Sequence, residues 1–340
     1  MNNTETIYCG ADWLPRVICR ARLIVALWAL LILPAVSWGQ SATEGQRVKE
    51  KIIIDTDIGG DIDDAFAVAL ALQTPEVEIL GISTASGDTL ARAKILDRML
   101  GESGHEDIPV AVGTPTKLPS EQIGPQWRYG DSRHYARASH PAAVEFILSE
   151  INRFPGQITL VTIGPLSNIG LMIDKDITTF RKLKRVVMMG GWLRDVNVAG
   201  AGLISPEPET NVVLDISSAQ KLLGSGVDIY LMPFDVTINL GLGEIERKTL
   251  FYEETPLTDS LALLYLLWGG GSGTPVLFDV MAVGFVTNPE LCPVEPLRVS
   301  VDAKGMSRIV PGASNVKACL HSDPKTFIEY FMSRMTRNLN

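Results

Sequence analysis

The sequence is poor in the side chains that bind transition metals. Its 340 residues include four cysteines and four histidines, and their spacing matches no zinc site. Basic residues are also in the minority, because 30 Lys and Arg stand against 39 Asp and Glu, for a formal net charge of −9. A protein that binds nucleic acid through phosphates carries a basic face. We therefore expect no nucleic-acid partner, and we expect any bound metal to have oxygen ligands.

The sequence also lacks an apolar run that is long enough to span a bilayer, which takes about 20 residues. The apolar run Leu23–Val36 is shorter, follows a segment with three arginines and precedes the small residues Ser37 and Gly39. That order predicts a secretory signal peptide over residues 1–39. The protein would then be exported to the periplasm or the medium, without a membrane partner after cleavage. A single membrane anchor is the alternative.

Export would place Cys292 and Cys319 in an oxidising compartment, where a disulfide is allowed but not required. Residues 40–50 are polar and are predicted to form a linker.

From residue 51 onward the chain alternates between short apolar runs and helical patterns. Lys51–Asp55 and Ile158–Ile163 are typical of buried strands, whereas Thr89–Leu100 and Pro141–Asn152 are typical of helices. Such alternation predicts parallel strands that are joined by helical crossovers. We expect residues 51–340 to form a single α/β domain, with an open, mostly parallel sheet and helices on both faces.

The C-terminal part of the domain is predicted to add two strands and one helix. The strands are expected at Leu297–Ala303 and Ile309–Cys319, and the helix at Pro324–Leu339.

Five carboxylates follow the first predicted strand within ten residues: Asp55, Asp57, Asp61, Asp63 and Asp64. Like charges this close repel one another unless a cation or a helix N-terminus offsets them. A helix cap explains one or two of these residues, but it does not explain Asp55 and Asp57, which alternate at the end of a buried strand. Ca²⁺ and Mg²⁺ prefer oxygen ligands, so the cluster predicts a site for a hard divalent cation.

The acidic segment resembles a family signature. DTDIGGDIDDAFAVALAL (55–72) is similar to the DTDPGxDDAxAL motif of the inosine- and uridine-preferring nucleoside hydrolases, with two additional residues and Ile58 in place of proline. Six further segments match the family in order and spacing, which makes the resemblance specific. They are ISTASGDT (82–89), ITLVTIGPLSNIG (158–170), VVMMGG (186–191), PEPETNVVLD (206–215), MPFDVT (232–237) and FDVMAV (278–283).

The resemblance implies Ca²⁺-dependent hydrolysis of the N-glycosidic bond of ribonucleosides, or of a related N-riboside, to free base and ribose. It implies that Asp57 is the catalytic base, which accepts a proton from water. The implied Ca²⁺ ligands are Asp57, Asp64, Asp279 and the backbone carbonyl of Ile163. The family usually has threonine at position 163, but a main-chain ligand tolerates isoleucine.

The resemblance also implies substrate-binding residues. Asp63, Glu209 and Asn211 would bind the ribose hydroxyls, and Asp88 stands where the family has an asparagine near the sugar. Phe278 stands where many members have a histidine that protonates the leaving base. Here either an aromatic side chain stacks on the base or another acid donates the proton. The aromatic candidates are Trp127, Tyr129 and Trp268.

Two other functions fit parts of the sequence. Phe278, together with Leu203 at a position where many members have asparagine, allows a secreted Ca²⁺-dependent nucleoside- or ribose-binding protein without turnover. The IIIDTD run also allows a phosphatase of the haloacid dehalogenase type, in which Asp55 is the nucleophile. The family often oligomerises, so a homo-oligomer is expected.

Overall fold

The central sheet and its helices are defined by a computed structural model, which describes residues 48–118, 124–131 and 134–336. The predicted signal peptide (1–39) and most of the predicted linker (40–47) lie outside the described residues. In the described part of the chain, no helix combines the length and the apolar character needed to cross a membrane.

The strands are short. They are β1 (Glu50–Thr56), β2 (Val77–Thr84), β3 (Val110–Val112), β4 (Ile158–Thr162), β5 (Arg185–Met189), β6 (Val196–Val198), β7 (Gly202–Ile204), β8 (Ile229–Met232), β9 (Val294–Leu297), β10 (Val299–Val301), β11 (Ser307–Ile309) and β12 (Val316–Cys319).

The helices alternate with these strands over most of the chain. They are α1 (Asp63–Leu72), α2 (Thr89–Glu102), α3 (Trp127–Gly130), α4 (Ala143–Arg153), α5 (Ser167–Phe180), α6 (Thr210–Val213), α7 (Ile216–Leu223), α8 (Phe234–Thr237), α9 (Glu244–Phe251), α10 (Pro256–Gly269), α11 (Phe278–Thr287) and α12 (Pro324–Met335).

Eight strands form one sheet in the order β3-β2-β1-β4-β5-β8-β12-β9. Every neighbouring pair is parallel except β12 and β9, which are antiparallel. The remaining strands form two antiparallel hairpins, β6–β7 and β10–β11. The predicted α/β class with a mostly parallel sheet is confirmed.

Helices cover both faces of the sheet, as predicted. Successive side chains of a strand point to opposite faces. In β1, Ile52 and Ile54 pack in one apolar cluster with α1, α10, α11 and α12, whereas Ile53 packs in a second cluster with α4, α5 and α7. All three isoleucines are fully buried, because a strand that is covered on both faces is apolar at every position.

The C-terminal strands differ from the prediction. The runs Leu297–Ala303 and Ile309–Cys319 are each predicted as one strand, but the chain turns within both. After β10, the Asp302 side chain accepts hydrogen bonds from the backbone N–H groups of Lys304 and Met306, which closes the β10–β11 hairpin. That turn falls in the gap between the two predicted strands. The missed breaks are at Arg298, across which the apolar alternation continues, and at 310–315, where Pro311 and Gly312 mark a turn.

The strand order has a switch point between β1 and β4, at the edge of the sheet that is formed by the carboxyl ends of the strands. From β1 the chain continues to β2 and β3 on one side, and then crosses back to β4 on the other side. Ligands of open α/β sheets bind at such a switch point, beyond the carboxyl ends of the strands. The segments that leave β1, β4 and β5 all begin at this edge.

Candidate active site

A cleft of about 370 Å³ lies at this edge of the sheet. It is lined by the segment after β1, by Ile163 after β4, by the end of β5, and by the ends of several helices. Among the described residues, its lining includes six acidic side chains. They are Asp57, Asp61, Asp63, Asp64, Glu209 and Asp279.

Three of these carboxylates converge. Asp63 and Asp64 begin α1, Asp279 lies in the first turn of α11, and one carboxylate oxygen from each of the three lies within 4.8 Å of the other two. The two helices pack together, and the backbone N–H of Asp279 donates to Oδ2 of Asp63 over 3.2 Å, across 216 positions of sequence. The hydroxyl of Thr56 donates to Asp64. The fold therefore assembles an acidic cluster from distant segments.

The electrostatics of this cluster fit a hard cation. Burial, followed by repulsion from neighbouring carboxylates, raises the pKa of Asp63, Asp64 and Asp279 well above its ordinary value. Several buried carboxylates without a cation are strongly unfavourable. Every donor in the set is oxygen, and Ile163 lines the same cleft. The residues present therefore fit Ca²⁺ or Mg²⁺.

Asp57 lies beside this cluster, directly after β1. Its side chain is 20% exposed, and burial raises its pKa while the charge of Arg92 opposes that rise. A Cβ atom at Gly164 would lie 2.9 Å from Oδ1 of Asp57, so the chain after β4 approaches Asp57 closely only because residue 164 is glycine.

Arg92 is a site residue that the sequence does not predict. Its Nη2 lies 3.8 Å from Oδ2 of Asp57, and its Nη1 donates to the carbonyls of Asp57 and Ile58. Nε donates to the carbonyl of Ser86 over 2.8 Å. These acceptors are backbone atoms of two loops, so no motif in the sequence marks the residue.

Glu209 and Asn211 join the loops of the cleft to one another. The carboxylate of Glu209 accepts from the backbone N–H groups of Gly191 (2.7 Å), Asn211 (2.9 Å) and Val212 (3.3 Å), which caps α6. Nδ2 of Asn211 donates to the carbonyl of Ile163 over 3.1 Å. Both predicted ribose-binding residues therefore lie in the cleft wall with a fixed orientation.

The structure does not bring Asp88 into the acidic cleft. Asp88 caps α2 by accepting the backbone N–H of Ala91 over 3.0 Å. It lines an adjacent depression together with Trp127. Arg92 lines both the cleft and this depression.

The aromatic candidates have different positions. Phe278 and Trp268 line the cleft, and the ring of Phe278 stacks on that of Phe234, with 5.5 Å between the centroids and 17° between the planes. Tyr129 is buried, and its hydroxyl donates to Glu102 over 2.6 Å, away from the cleft lining. Leu203 is 65% exposed, on the β6–β7 hairpin.

Asp55 is not available as a nucleophile. It is completely buried, and its Oδ1 accepts from Ser83 (2.5 Å) and from Asn168 (2.8 Å). Burial raises its pKa to about 6. Asp55 does not line the cleft, so its surroundings argue against the nucleophilic role that a phosphatase would require.

Comparison with known families identifies the architecture around this cleft. A family model described as inosine-uridine preferring nucleoside hydrolase matches residues 52–329. The chain belongs to this family. The nucleoside hydrolase resemblance of the acidic segment is therefore confirmed, and with it membership of a family of metal-dependent enzymes that hydrolyse N-glycosidic bonds.

Curated relatives of this nucleoside hydrolase family member come from several kingdoms. Uridine nucleosidase 1 of Arabidopsis thaliana is 29% identical over 76% of the chain and 80% of its own length. The pyrimidine-specific ribonucleoside hydrolase RihB of Escherichia coli is 29% identical over 75% of the chain and 83% of its own length. An uncharacterised protein of Schizosaccharomyces pombe is 37% identical over 56% of the chain, and the match spans only 63% of that protein.

Solved structures share the nucleoside hydrolase fold. A plant nucleoside hydrolase superposes with a TM-score of 0.73 at 23% identity, over 84% of the chain and 99% of the plant protein. A purine-preferring ribonucleoside hydrolase from Gardnerella vaginalis superposes with a TM-score of 0.70 at 22% identity, over 84% of the chain and 98% of that protein.

Proposed function

We propose that this protein hydrolyses the N-glycosidic bond of ribonucleosides in a Ca²⁺-dependent reaction, which yields free base and ribose. The observation that carries the proposal is the convergence of Asp63, Asp64 and Asp279 next to Asp57, in a cleft at the switch point of the sheet. Membership of the nucleoside hydrolase family supports the reaction class.

The proposed Ca²⁺ ligands are Asp57, Asp64, Asp279 and the carbonyl of Ile163, with Asp63 directly beside them. When bound, the cation supplies Lewis acidity and lowers the pKa of water in the cleft. The buried carboxylates are preorganised for a cation, because α1 and α11 hold them rather than a flexible loop.

Asp57 is the proposed general base. Its carboxylate accepts a proton from the water that attacks C1′, and Arg92 holds the backbone at Asp57 so that the carboxylate keeps one orientation. The transition state of glycoside hydrolysis is oxocarbenium-like and therefore positively charged. The acidic lining stabilises that charge as it develops.

Asp63, Glu209 and Asn211 are the proposed ribose ligands. The backbone hydrogen bonds of Glu209 and Asn211 fix both side chains in the cleft wall, so that they meet the ribose hydroxyls without losing rotamer freedom on binding. Phe278 and Trp268 supply apolar faces for the base. Asp88 belongs to the adjacent depression, where a role in substrate binding remains a prediction.

The test is an assay of ribose release from a panel of purine and pyrimidine nucleosides, with chelator and after Ca²⁺ or Mg²⁺ is added back. We expect Asp57→Ala to lower kcat about 10²–10⁴-fold while the folded state is retained. Asp174→Asn, at an exposed site on α5, is the control. Full activity of Asp57→Ala would show that Asp57 is not the catalytic base.

The same experiment decides the binding-protein alternative. Calorimetry that detects tight Ca²⁺-dependent nucleoside binding, while no ribose accumulates over hours, would establish a binder without turnover. We expect ribose to accumulate, because the proposed catalytic base Asp57, the acidic cluster and the proposed ribose-binding residues all line one cleft.

We also propose that the protein acts after export. The order of residues in 1–39 supports this, and so does the disulfide between Cys292 and Cys319, since structural disulfides persist in oxidising compartments. Fractionation of cells into cytoplasm, periplasm and medium, followed by immunodetection, tests the location. A full-length protein found only in the cytoplasm would contradict it.

A further inference from the structure

One carboxylate of the cleft, Asp61, has no individual role in the mechanism above. Asp61 belongs to the stretch by which this chain is two residues longer than the DTDPGxDDAxAL signature, and its exposed side chain lines the cleft. Oδ1 accepts the backbone N–H of Ile62 over 2.7 Å. In the described part of the chain, no hydrogen bond reaches Oδ2, so this oxygen is free to meet a ligand.

The position of Asp61 is fixed from behind. Nε2 of the fully buried Gln126 donates to the carbonyls of Gly60 and Asp61, over 2.9 Å in each case. A Cβ atom at Gly124 would lie 2.7 Å from the carbonyl oxygen of Gly59, so the segment before α3 lies directly against the acidic loop. The hydrogen bonds from Gln126 therefore hold the backbone at Asp61 in place.

An aromatic wall lines the same cleft. It consists of Phe234, Phe278 and Trp268. The faces of aromatic rings carry partial negative charge and attract cations, with a stabilisation of about 0.5–2 kcal/mol. A flat positively charged ring would stack on such a wall more favourably than a neutral one.

The net charge of the cleft also favours a positively charged ligand. Against the six acidic side chains of the described lining stands one cationic side chain, Arg92, and its Nε and Nη1 are already bonded to backbone carbonyls. A divalent cation offsets only two of the six charges. Formally, the lining stays negative when the metal is bound.

The chemistry of the leaving group completes the argument. A neutral base that leaves C1′ takes the electron pair of the C–N bond and becomes an anion unless it receives a proton. The described lining holds no His, Lys, Tyr or Cys to donate that proton, and its Asp and Glu side chains could donate one only from their protonated form. A base that carries a positive charge at the glycosidic nitrogen takes the same electron pair and leaves as a neutral molecule.

We propose that the cleft selects N-ribosides whose base is positively charged at the glycosidic nitrogen, such as pyridinium ribosides and 7-alkylpurine ribosides, with Asp61 and the aromatic wall as the specificity determinants. The reaction consumes water and gives ribose, neutral base and one proton, which Asp57 accepts from the attacking water. This inference rests on the proposed hydrolase function and names its preferred substrate class.

The first test compares a positively charged riboside with a neutral one in two pairs, the first of which differs by a single methyl group and one charge. The Ca²⁺-loaded protein is assayed with 7-methylguanosine against guanosine, and with 3-carbamoylpyridinium riboside against uridine. Each kcat/KM is divided by the rate of uncatalysed hydrolysis, because charged ribosides are intrinsically more reactive. We expect the corrected values to favour the charged riboside by about tenfold. Equal values, or a preference for the neutral partner, would overturn the inference.

The second test uses a substitution at Asp61. In Asp61→Asn, the ratio of charged to neutral kcat/KM is expected to fall about tenfold, since the amide keeps the shape but not the charge. The control is Asp259→Asn, at an exposed position of α10, in which the ratio stays at the wild-type value. A ratio that is unchanged in Asp61→Asn, or a larger loss on the neutral substrate, would also overturn the inference.

A third measurement separates this inference from the proposed function. 1-Methyl-3-carbamoylpyridinium and neutral nicotinamide cannot be hydrolysed, so their binding by calorimetry depends on the base site alone. We expect the cation to bind about tenfold more tightly, and this difference to disappear in Asp61→Asn. If no riboside is hydrolysed, the proposed function fails, whereas equal binding of the two probes contradicts only the selectivity for charged bases.

Discussion

Asp55 and Asp57 show how two identical residues, two positions apart, acquire different chemistry from their surroundings. Asp55 is inside the sheet and is bonded to Ser83 and Asn168, whereas Asp57 lies in the cleft beside Arg92. The spacing predicts that both belong to one site. Only the structure distinguishes the buried support from the residue that can meet water.

The buried state of Asp55 makes a stability prediction. Burial raises its pKa from 3.8 to about 6, so the folded state binds its proton more tightly than the unfolded state, and stability is lost as the pH rises through about 6. Asp55→Asn removes this pH-dependent loss and its amide oxygen can keep both hydrogen bonds, but its NH₂ group replaces the buried Oδ2, which has no hydrogen-bond partner, and that cost is the same at every pH. We expect the change in unfolding free energy caused by Asp55→Asn to be about 1–3 kcal/mol more favourable at pH 7.5 than at pH 4.

Urea denaturation of Asp55→Asn and of the wild type at both pH values measures this difference. Asp259→Asn again serves as the control, because its side chain is exposed. A variant that is destabilised equally at pH 4 and pH 7.5 would contradict the assigned cause.

Arg92 and Gln126 are the residues around the cleft that the sequence could not predict. Arg92 and Gln126 both donate to carbonyl groups of the acidic loop. A carbonyl group is present at every position, so no residue type or spacing marks these partners in advance. Several carboxylates directly after a strand, by contrast, can be recognised in the sequence, because like charges so close together repel one another and predict a bound cation.

At the scale of elements, most of the parallel strands could be predicted because each is an apolar run that ends in Gly, Pro or a polar residue. The helix α5 (Ser167–Phe180) is not predicted, since Asp174, Lys175 and Asp176 interrupt its apolar pattern and Asp176 has non-helical dihedral angles. In the C-terminal part, the hairpin turn at Asp302 matches the gap between the two predicted strands. The break between β9 and β10 at Arg298 is not predicted, because the apolar alternation continues across it.

The disulfide gives a prediction for the antiparallel edge of the sheet. Cys292 follows α11, Cys319 ends β12, and 27 positions separate them. A cross-link of this kind stabilises a protein by about 2–4 kcal/mol, mainly by restricting the unfolded chain. We expect the double variant Cys292→Ser/Cys319→Ser to lose stability of this size.

Thermal denaturation with and without reductant checks the disulfide prediction. Reductant should lower the Tm of the wild type and leave that of the double variant unchanged. A wild-type Tm that is insensitive to reductant, in a protein whose disulfide-linked peptide is confirmed by mass, would show that the cross-link does not stabilise the fold.

At the scale of the whole molecule, the acidic cluster couples stability to pH and to metal. The pKa values of Asp63, Asp64 and Asp279 are raised by burial, so the metal-free protein loses stability as the pH rises and these groups ionise. We expect the proposed Ca²⁺ to bind the ionised form and to reverse the loss, by about 2.7 kcal/mol at a concentration of 100 times Kd.

Calorimetric melting at pH 5 and pH 8, with chelator or with Ca²⁺, tests this coupling. We expect the chelated protein to melt at a lower temperature at pH 8 than at pH 5, and Ca²⁺ to raise the Tm more at pH 8. An equal increase at both pH values would argue against a cation among these carboxylates. The predicted homo-oligomer can be examined in the same samples by light scattering.

The bond between Asp63 and the first turn of α11 joins the start of the domain to a segment 216 positions later. During synthesis, Asp63 and Asp64 emerge from the ribosome long before Asp279. The three carboxylates can therefore come together only after most of the polypeptide has been made. A nascent or truncated chain that ends before α11 would hold an unfinished cation site. The protein should therefore become active only late in biosynthesis, and a shortened product should be inactive even where its central strands have already paired.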